Sequence, residues 1–206
     1  MVWEPLLSSL LGAIVGISPS RGWAYTVYYW LYSQRRGFAY ALVTILVGRL
    51  LGIGLTAGLI VAPFLAFPLL LHSLVHFLCV GCIAHGLLEV RFCHRLHHRG
   101  PLKPNYLALL RWSFINAILR MEGMLLAMLA LEDPSAPLHY TWTLVAGILV
   151  MATIAVRWRG VCFIKQGWLN YDLILGLMYI VVGGLTLMGH FAEHQVASLF
   201  FWVSYQ

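Results

Sequence analysis

Long apolar runs with few polar interruptions fill the chain from residue 6 to residue 190. A hydrocarbon layer about 30 Å thick is crossed by roughly 20 apolar residues in helical form. Six windows reach or approach that length: 6–31, 38–62, 67–90, 107–131, 140–157 and 171–190. The pattern predicts an all-α polytopic membrane protein with six transmembrane helices. The connections are short, so residues 1–206 form a single transmembrane domain.

Polar exceptions inside these windows carry more information than the apolar majority. Near its centre the first window reads Gly16-Ile17-Ser18-Pro19-Ser20-Arg21-Gly22. Pro19 removes a backbone donor and the glycines permit a bend or break there. The fourth window carries Asn116, Arg120, Glu122 and Gly123 at a comparable depth. The second carries Arg49 among Gly48, Gly52, Gly54 and Gly58, a small-residue face that lets helices approach closely. Trp3, Trp30, Trp112, Trp142 and Trp168 fall near predicted helix ends, where interfacial aromatic belts belong. The final stretch, 197–206, is aromatic and is expected to lie on the outer interface without crossing.

Composition agrees with this reading, since the chain is 61% hydrophobic and 10% charged with a mean hydropathy of +0.84. An ordinary soluble domain of this size does not need that balance to build one core. The net charge of +6 is explained by topology. Of 13 Lys and Arg residues, all but Arg21, Arg49 and Arg120 fall beside the 1–2, 3–4 and 5–6 connections. The opposite side carries none, which is the positive-inside pattern for six helices with both termini outside the cytoplasm, in an inner or plasma membrane. No basic n-region precedes the first apolar run and no A-x-A-like site follows it, so the first helix is expected to be retained. Cys79, Cys82, Cys93 and Cys162 lie in or beside helices, which argues against a secreted-type disulfide framework. Cys79 and Cys82 form a C-x2-C, but apolar surroundings favour inert thiols.

With both ends outside, the first three helices start outside and the last three start inside. Any likeness between 6–90 and 107–190 must then be an inverted repeat, a common transporter plan with its site near the midplane. The run 6–61 also resembles the N-terminal half of the LysE-like superfamily of small exporters. The likeness lies in a first helix interrupted by Pro19, a short Arg35-Arg36-Gly37 turn, and a glycine-spaced second helix ending in Gly58-Leu59. The two-by-three helix plan and the charged connection between helices 3 and 4 are similar to that superfamily too. What the resemblance implies is a permease. Amino-acid exporters of this kind carry a Pro-Gly-Pro-Asn type motif where this chain has Pro19-Ser20-Arg21-Gly22, which argues against an amino-acid solute.

An unpaired guanidinium in hydrocarbon costs a few kcal/mol even on lenient scales, so Arg21, Arg49 and Arg120 each need an anion, carbonyls or water. Glu122 is the only acid expected at mid-depth, with Glu89 and Asp172 nearer the inner interface. A solute anion is therefore the expected partner, because the planar arginine fork binds carboxylate or phosphate bidentately. The expected solute site comprises Ser18, Pro19, Arg21, Arg49, Asn116, Arg120 and Glu122, with Glu122 orienting an arginine or carrying a coupling proton.

Histidine offers a second reading. His72/His76 and His190/His194 are i, i+4 pairs expected on the outer side near His139 and Glu193. Converging pairs could hold a transition metal or haem, making the chain a non-transporting subunit or an anchor for a larger membrane complex. A third reading rests on His94, His97 and His98, which spell one box of the membrane di-iron desaturases and hydroxylases. However, His76 and His94 are separated by about 18 residues of apolar helix, enough to put them on opposite membrane faces. A solvated basic loop beside anionic headgroups suits that loop better. The chain has no Gly-rich phosphate loop, no nucleophile–His–acid spacing and no basic-aromatic cluster for nucleic acid. The leading expectation is a non-enzymatic permease in the lipid bilayer that takes a small anionic or zwitterionic solute, alone or as a homodimer.

Overall fold

The computed structural model describes residues 3–18, 22–66, 71–92, 105–157 and 171–203. Among them are seven helices and no strand: α1 (Trp3–Ile17), α2 (Trp23–Ala66), α3 (Leu71–Phe92), α4 (Tyr106–Leu119), α5 (Glu122–Glu132), α6 (Ala136–Arg157) and α7 (Tyr171–Val203). The all-α class expected from the apolar runs is what the chain adopts. Three stretches are long and apolar enough to cross a membrane: Arg36–Ala62, Ser73–Arg91 and Ala136–Arg157. A fourth results if α4 and α5, bent by 56° at their junction, count as one broken span. Leu6–Ile17 and Leu173–Gly189 are shorter apolar helices. α7 stays helical to Val203, well into the stretch expected to lie along the interface.

Helical residues continue without interruption through α2, yet the element is not a rod. A Cβ on Gly22 would lie 2.8 Å from Ile45 Cγ2, and Tyr29, Ala41 and Ile45 share one buried cluster with Leu109 and Trp112. A straight helix would hold residues 22 and 45 roughly 35 Å apart. The chain must therefore double back between Tyr29 and Ala41, a stretch that includes the Arg35-Arg36-Gly37 turn expected from sequence. The first apolar window is thus α1 followed by the opening turns of α2, with a break between Ile17 and Trp23. Gly22 itself has φ +117, backbone that a side chain rarely tolerates.

Packing pairs α1 with α6, α2 with α4 and α5, and α3 with α7. Small residues mark the closest approaches. A Cβ on Gly48 or Gly52 would each lie 2.7 Å from a carbonyl oxygen of α4, those of Leu110 and Phe114. Gly86 and Gly176 face each other across the α3–α7 crossing, where their added Cβ atoms would lie 2.5 Å and 2.8 Å from the opposing carbonyl oxygens. At such distances only hydrogen fits, so backbones meet and van der Waals contact replaces the hydrophobic drive that lipid does not supply. At the centre sits α5, whose residues 122–129 are all buried. Between Gly123 and Leu131 it is apolar around its whole circumference, the mark of a helix enclosed by others.

This packing separates two glycines of similar sequence context. A Cβ at Gly123 would meet Thr56 Cβ and lie 2.8 Å from the Ile53 carbonyl oxygen, whereas Gly54 has nothing within 4 Å. Gly123→Ala is expected to destabilise by about 1–3 kcal/mol, and Gly54→Ala to stabilise by up to about 1 kcal/mol through helix propensity. Thermal unfolding in detergent checks this; equal midpoints for the two variants would contradict the packing.

Candidate functional site at the break between α4 and α5

α4 stops at Arg120 (φ −85, ψ 4) and α5 restarts after Met121, which adopts left-handed backbone (φ 51, ψ 27). No proline or glycine precedes the break. A non-glycine residue in that region costs roughly 1–2 kcal/mol, so the surroundings must select it. Local hydrogen bonds finish the two helices. The Arg120 N–H donates to the Asn116 carbonyl at 3.1 Å, and the Met124 and Leu125 N–H groups donate to the Met121 carbonyl at 3.0 and 3.2 Å. The side chains flanking the break also have the favourable signs: a cation at the carboxyl end of α4 and an anion at the amino end of α5, each complementing the nearby helix dipole.

Both charges are buried and paired. Arg49 on α2 donates from Nε to Glu122 Oε2 at 3.0 Å and from Nη2 to Glu122 Oε1, a bidentate fork with both side chains fully buried. Arg120 donates from Nη1 to both oxygens of Glu89 on α3, at 2.8 Å and 3.0 Å. One turn earlier on α3, His85 Nε2 lies 3.6 Å from Glu89 Oε1. Its ring meets Tyr179 of α7 edge-on, with centroids 5.1 Å apart. The Tyr179 hydroxyl donates to the Arg120 carbonyl at 3.0 Å, occupying a group that the broken helix leaves without its usual partner. Trp23 does the same at the earlier break, donating from Nε1 to the Ile17 carbonyl at 2.9 Å. A backbone interrupted among apolar helices survives only when its freed groups are satisfied in this way.

Of the expected solute-site residues, Arg49 and Glu122 bind each other, while Arg120 and Asn116 lie one turn apart at the end of α4. Asn116 is buried. Ser18 is buried at the end of α1, its N–H directed to the Ile14 and Val15 carbonyls at 3.2 Å. Pro19 and Arg21 lie outside the described residues. For Arg49 and Arg120 the counter-ions are protein carboxylates, so these two arginines do not by themselves require a solute anion.

Glu89, expected nearer the inner interface than Glu122, is the carboxylate on α3 that Arg120 reaches from the end of α4. His85 and Glu89 are a pair that sequence reading missed. Their i, i+4 spacing on one helix face was the available signal.

The histidine reading gains nothing from the described part of the chain. His76 is half-buried on α3 and His139 is exposed on α6. The side chains of His72, His190 and His194 lie outside the described set, as do His94, His97 and His98. Among the described residues no three metal-ligating side chains come together. Cys79 and Cys82 are buried thiols that form no disulfide, with Cys79 Sγ 3.9 Å from Met128 Sδ.

Fold and site together define an all-α protein with, among the described residues, three or four helices long and apolar enough to span a membrane, whose central broken helix is pinned by two buried arginine–glutamate pairs. No family model, curated protein or solved structure matches the chain.

Breaking a buried pair strands a charge, which typically costs about 3–5 kcal/mol. Arg49→Met and Glu122→Gln are each expected to lose stability on that scale, and the double variant to lose clearly less than the sum. A double-mutant cycle by unfolding in detergent measures the coupling; additive losses would mean that the two charges do not stabilise each other.

Proposed function

We propose that the chain is a small permease of an inner or plasma membrane, moving a small anionic solute through a site at the α4–α5 break. In this reading the chain crosses the membrane six times as two inverted three-helix halves, with both termini outside the cytoplasm. The first span is α1 plus the opening turns of α2, the second is 36–62, the third is α3, the fourth is α4 with α5, the fifth is α6 and the sixth is α7. Packing supports the halves: α1 lies on α6 much as α4 lies on α2, and α3 and α7 cross each other at facing glycines. Those are the exchanges that a pseudo-twofold axis in the membrane plane produces.

The observation that carries the function is the break itself, with Arg120 and Glu122 on either side of Met121. Discontinuous helices at mid-depth are where transporters expose backbone and charge to a solute. The first window breaks at the corresponding point in the other half, between Ile17 and Trp23, which is also where the exporter resemblance places its interruption. Arg120 is the better candidate for solute, since it stands at the break itself, whereas Arg49 reaches the break from α2.

Flux through reconstituted proteoliposomes tests the reading, with a panel of small carboxylates, phosphate, zwitterionic amino acids and divalent cations. At least one anion is expected to move faster than through protein-free vesicles. Arg120→Lys, which keeps the charge and loses the fork, should slow it about tenfold or more while the protein still elutes as the folded species. No solute of the panel moving above the protein-free rate would sink the permease reading.

A further inference from the structure

Sulfur gathers where α3 meets α5. Cys79 and Cys82 are i, i+3 on α3, and Met124 and Met128 are i, i+4 on α5, so each pair shares one helix face. All four side chains belong to one buried cluster. Three of them are at 0% exposure, and Met124, at 7%, is the least enclosed. Cys79 Sγ lies 3.9 Å from Met128 Sδ. Met124 Sδ packs against Gly81, where a Cβ would lie 3.0 Å from it, so a residue without a side chain, placed between the two cysteines, admits the second thioether. α7 closes on the same pair of residues: a Cβ on Gly183 would lie 2.9 Å from the Cys79 carbonyl oxygen and 3.2 Å from Cys82 Cβ.

The donor set decides what could bind. Among the described residues no three His, Cys, Asp or Glu side chains converge, so the four ligands of those types that zinc takes are not assembled here. Calcium and magnesium require oxygen, and the donors of this cluster are sulfur. Thiol and thioether together select copper(I) and ions like it. Spacing agrees, because sulfurs around a three-coordinate metal with bonds of about 2.3 Å stand about 4 Å apart. Charge agrees as well. The glutamates at the break are already balanced by Arg49 and Arg120, and a monovalent ion needs one thiolate to make a neutral site, the state that burial tolerates.

From this geometry we infer that Cys79, Cys82, Met124 and Met128 form a binding site for a soft monovalent metal ion of the copper(I) class. On binding, the metal forms a bond to one cysteine sulfur as the S–H bond breaks. The proton leaves to solvent, no electron is transferred and the net charge of the site is unchanged. The other cysteine stays a thiol and, with the thioethers, supplies lone pairs. Hydrogen bonds made by the thiols do not oppose this, since the metal takes the place of a thiol proton. Met124, two residues beyond Glu122, is the entry-side ligand. The site is separate from the one proposed for a solute anion and does not rest on the permease reading.

The test uses the full chain in detergent with Cys93→Ser and Cys162→Ser, both outside the described residues, which leaves Cys79 and Cys82 of its four cysteines. Without oxygen, copper(I) is supplied as its acetonitrile complex and competed with bathocuproine disulfonate, whose copper complex is read by its colour. Zinc(II) is the control. One copper per chain is expected to be retained, with a raised unfolding temperature, sulfur neighbours alone in the X-ray absorption fine structure, and no zinc held after the same desalting. Met124→Leu and Met128→Leu conserve volume and should fold. Each is expected to weaken copper retention about tenfold or more, the scale on which metal sites respond to lost supporting groups, and the Cys79→Ala/Cys82→Ala double variant should abolish it. No copper held against the chelator, nitrogen or oxygen neighbours in place of sulfur, zinc held in preference to copper, or undiminished retention in the methionine or double cysteine variants would each overturn the inference. Stoichiometry and coordination shell are read before any ligand is replaced, so they decide the matter even if a variant fails to fold.

Discussion

Arg49 and Glu122 hold each other in a place where neither charge could remain alone. Removed from water, an isolated guanidinium or carboxylate carries a desolvation penalty of several kcal/mol, and the fork between them is the arrangement that offsets it most completely. The rest of the structure is organised around that requirement. α2 must pass close enough for Arg49 to reach, which Gly48 and Gly52 permit by bringing its backbone against α4. α5 must present its first residue toward α2, and Gly123 allows that contact with Thr56 and Ile53. The chain also bends between Arg120 and Glu122, and the two residues serve different partners, one on α3 and the other on α2.

The break is consequently over-determined despite the unfavourable backbone of Met121. Helix dipoles favour the charge at each side of it, Tyr179 takes the Arg120 carbonyl, and the two carboxylates pull the arginines into separate directions. A strained residue persists where its surroundings outweigh the local preference. The two pairs are not alike: one is a bidentate fork, while in the other the carboxylate also lies 3.6 Å from a histidine nitrogen.

Much of this could be read from the chain, though not all for the same reason. Apolar run length placed the helices, since burial and hydrocarbon thickness act on average composition and tolerate local detail. Pro19 and its glycines announced the first interruption because local backbone chemistry forces it. Arg49, Arg120 and Glu122 stood out because charge in an apolar helix is rare for energetic reasons. The second break had no such herald: Leu119, Arg120 and Met121 are ordinary helix formers, and nothing in their own propensities ends a helix. The grouping of His85, Glu89 and Arg120 escaped notice because it joins α3 to the end of α4, across 31 residues between Glu89 and Arg120.

Sequence alone, then, determined that the chain is helical, apolar and marked by a few expensive charges, because those properties follow from side chains one at a time. Which charge meets which was decided only in three dimensions. Glu89 lies 31 residues from Arg120 and Glu122 lies 73 from Arg49, and neither separation carries any local signal. A bidentate ion pair needs its members within about 3 Å in a fixed orientation, and only the close glycine contacts between helices and the bend at Met121 supply that alignment.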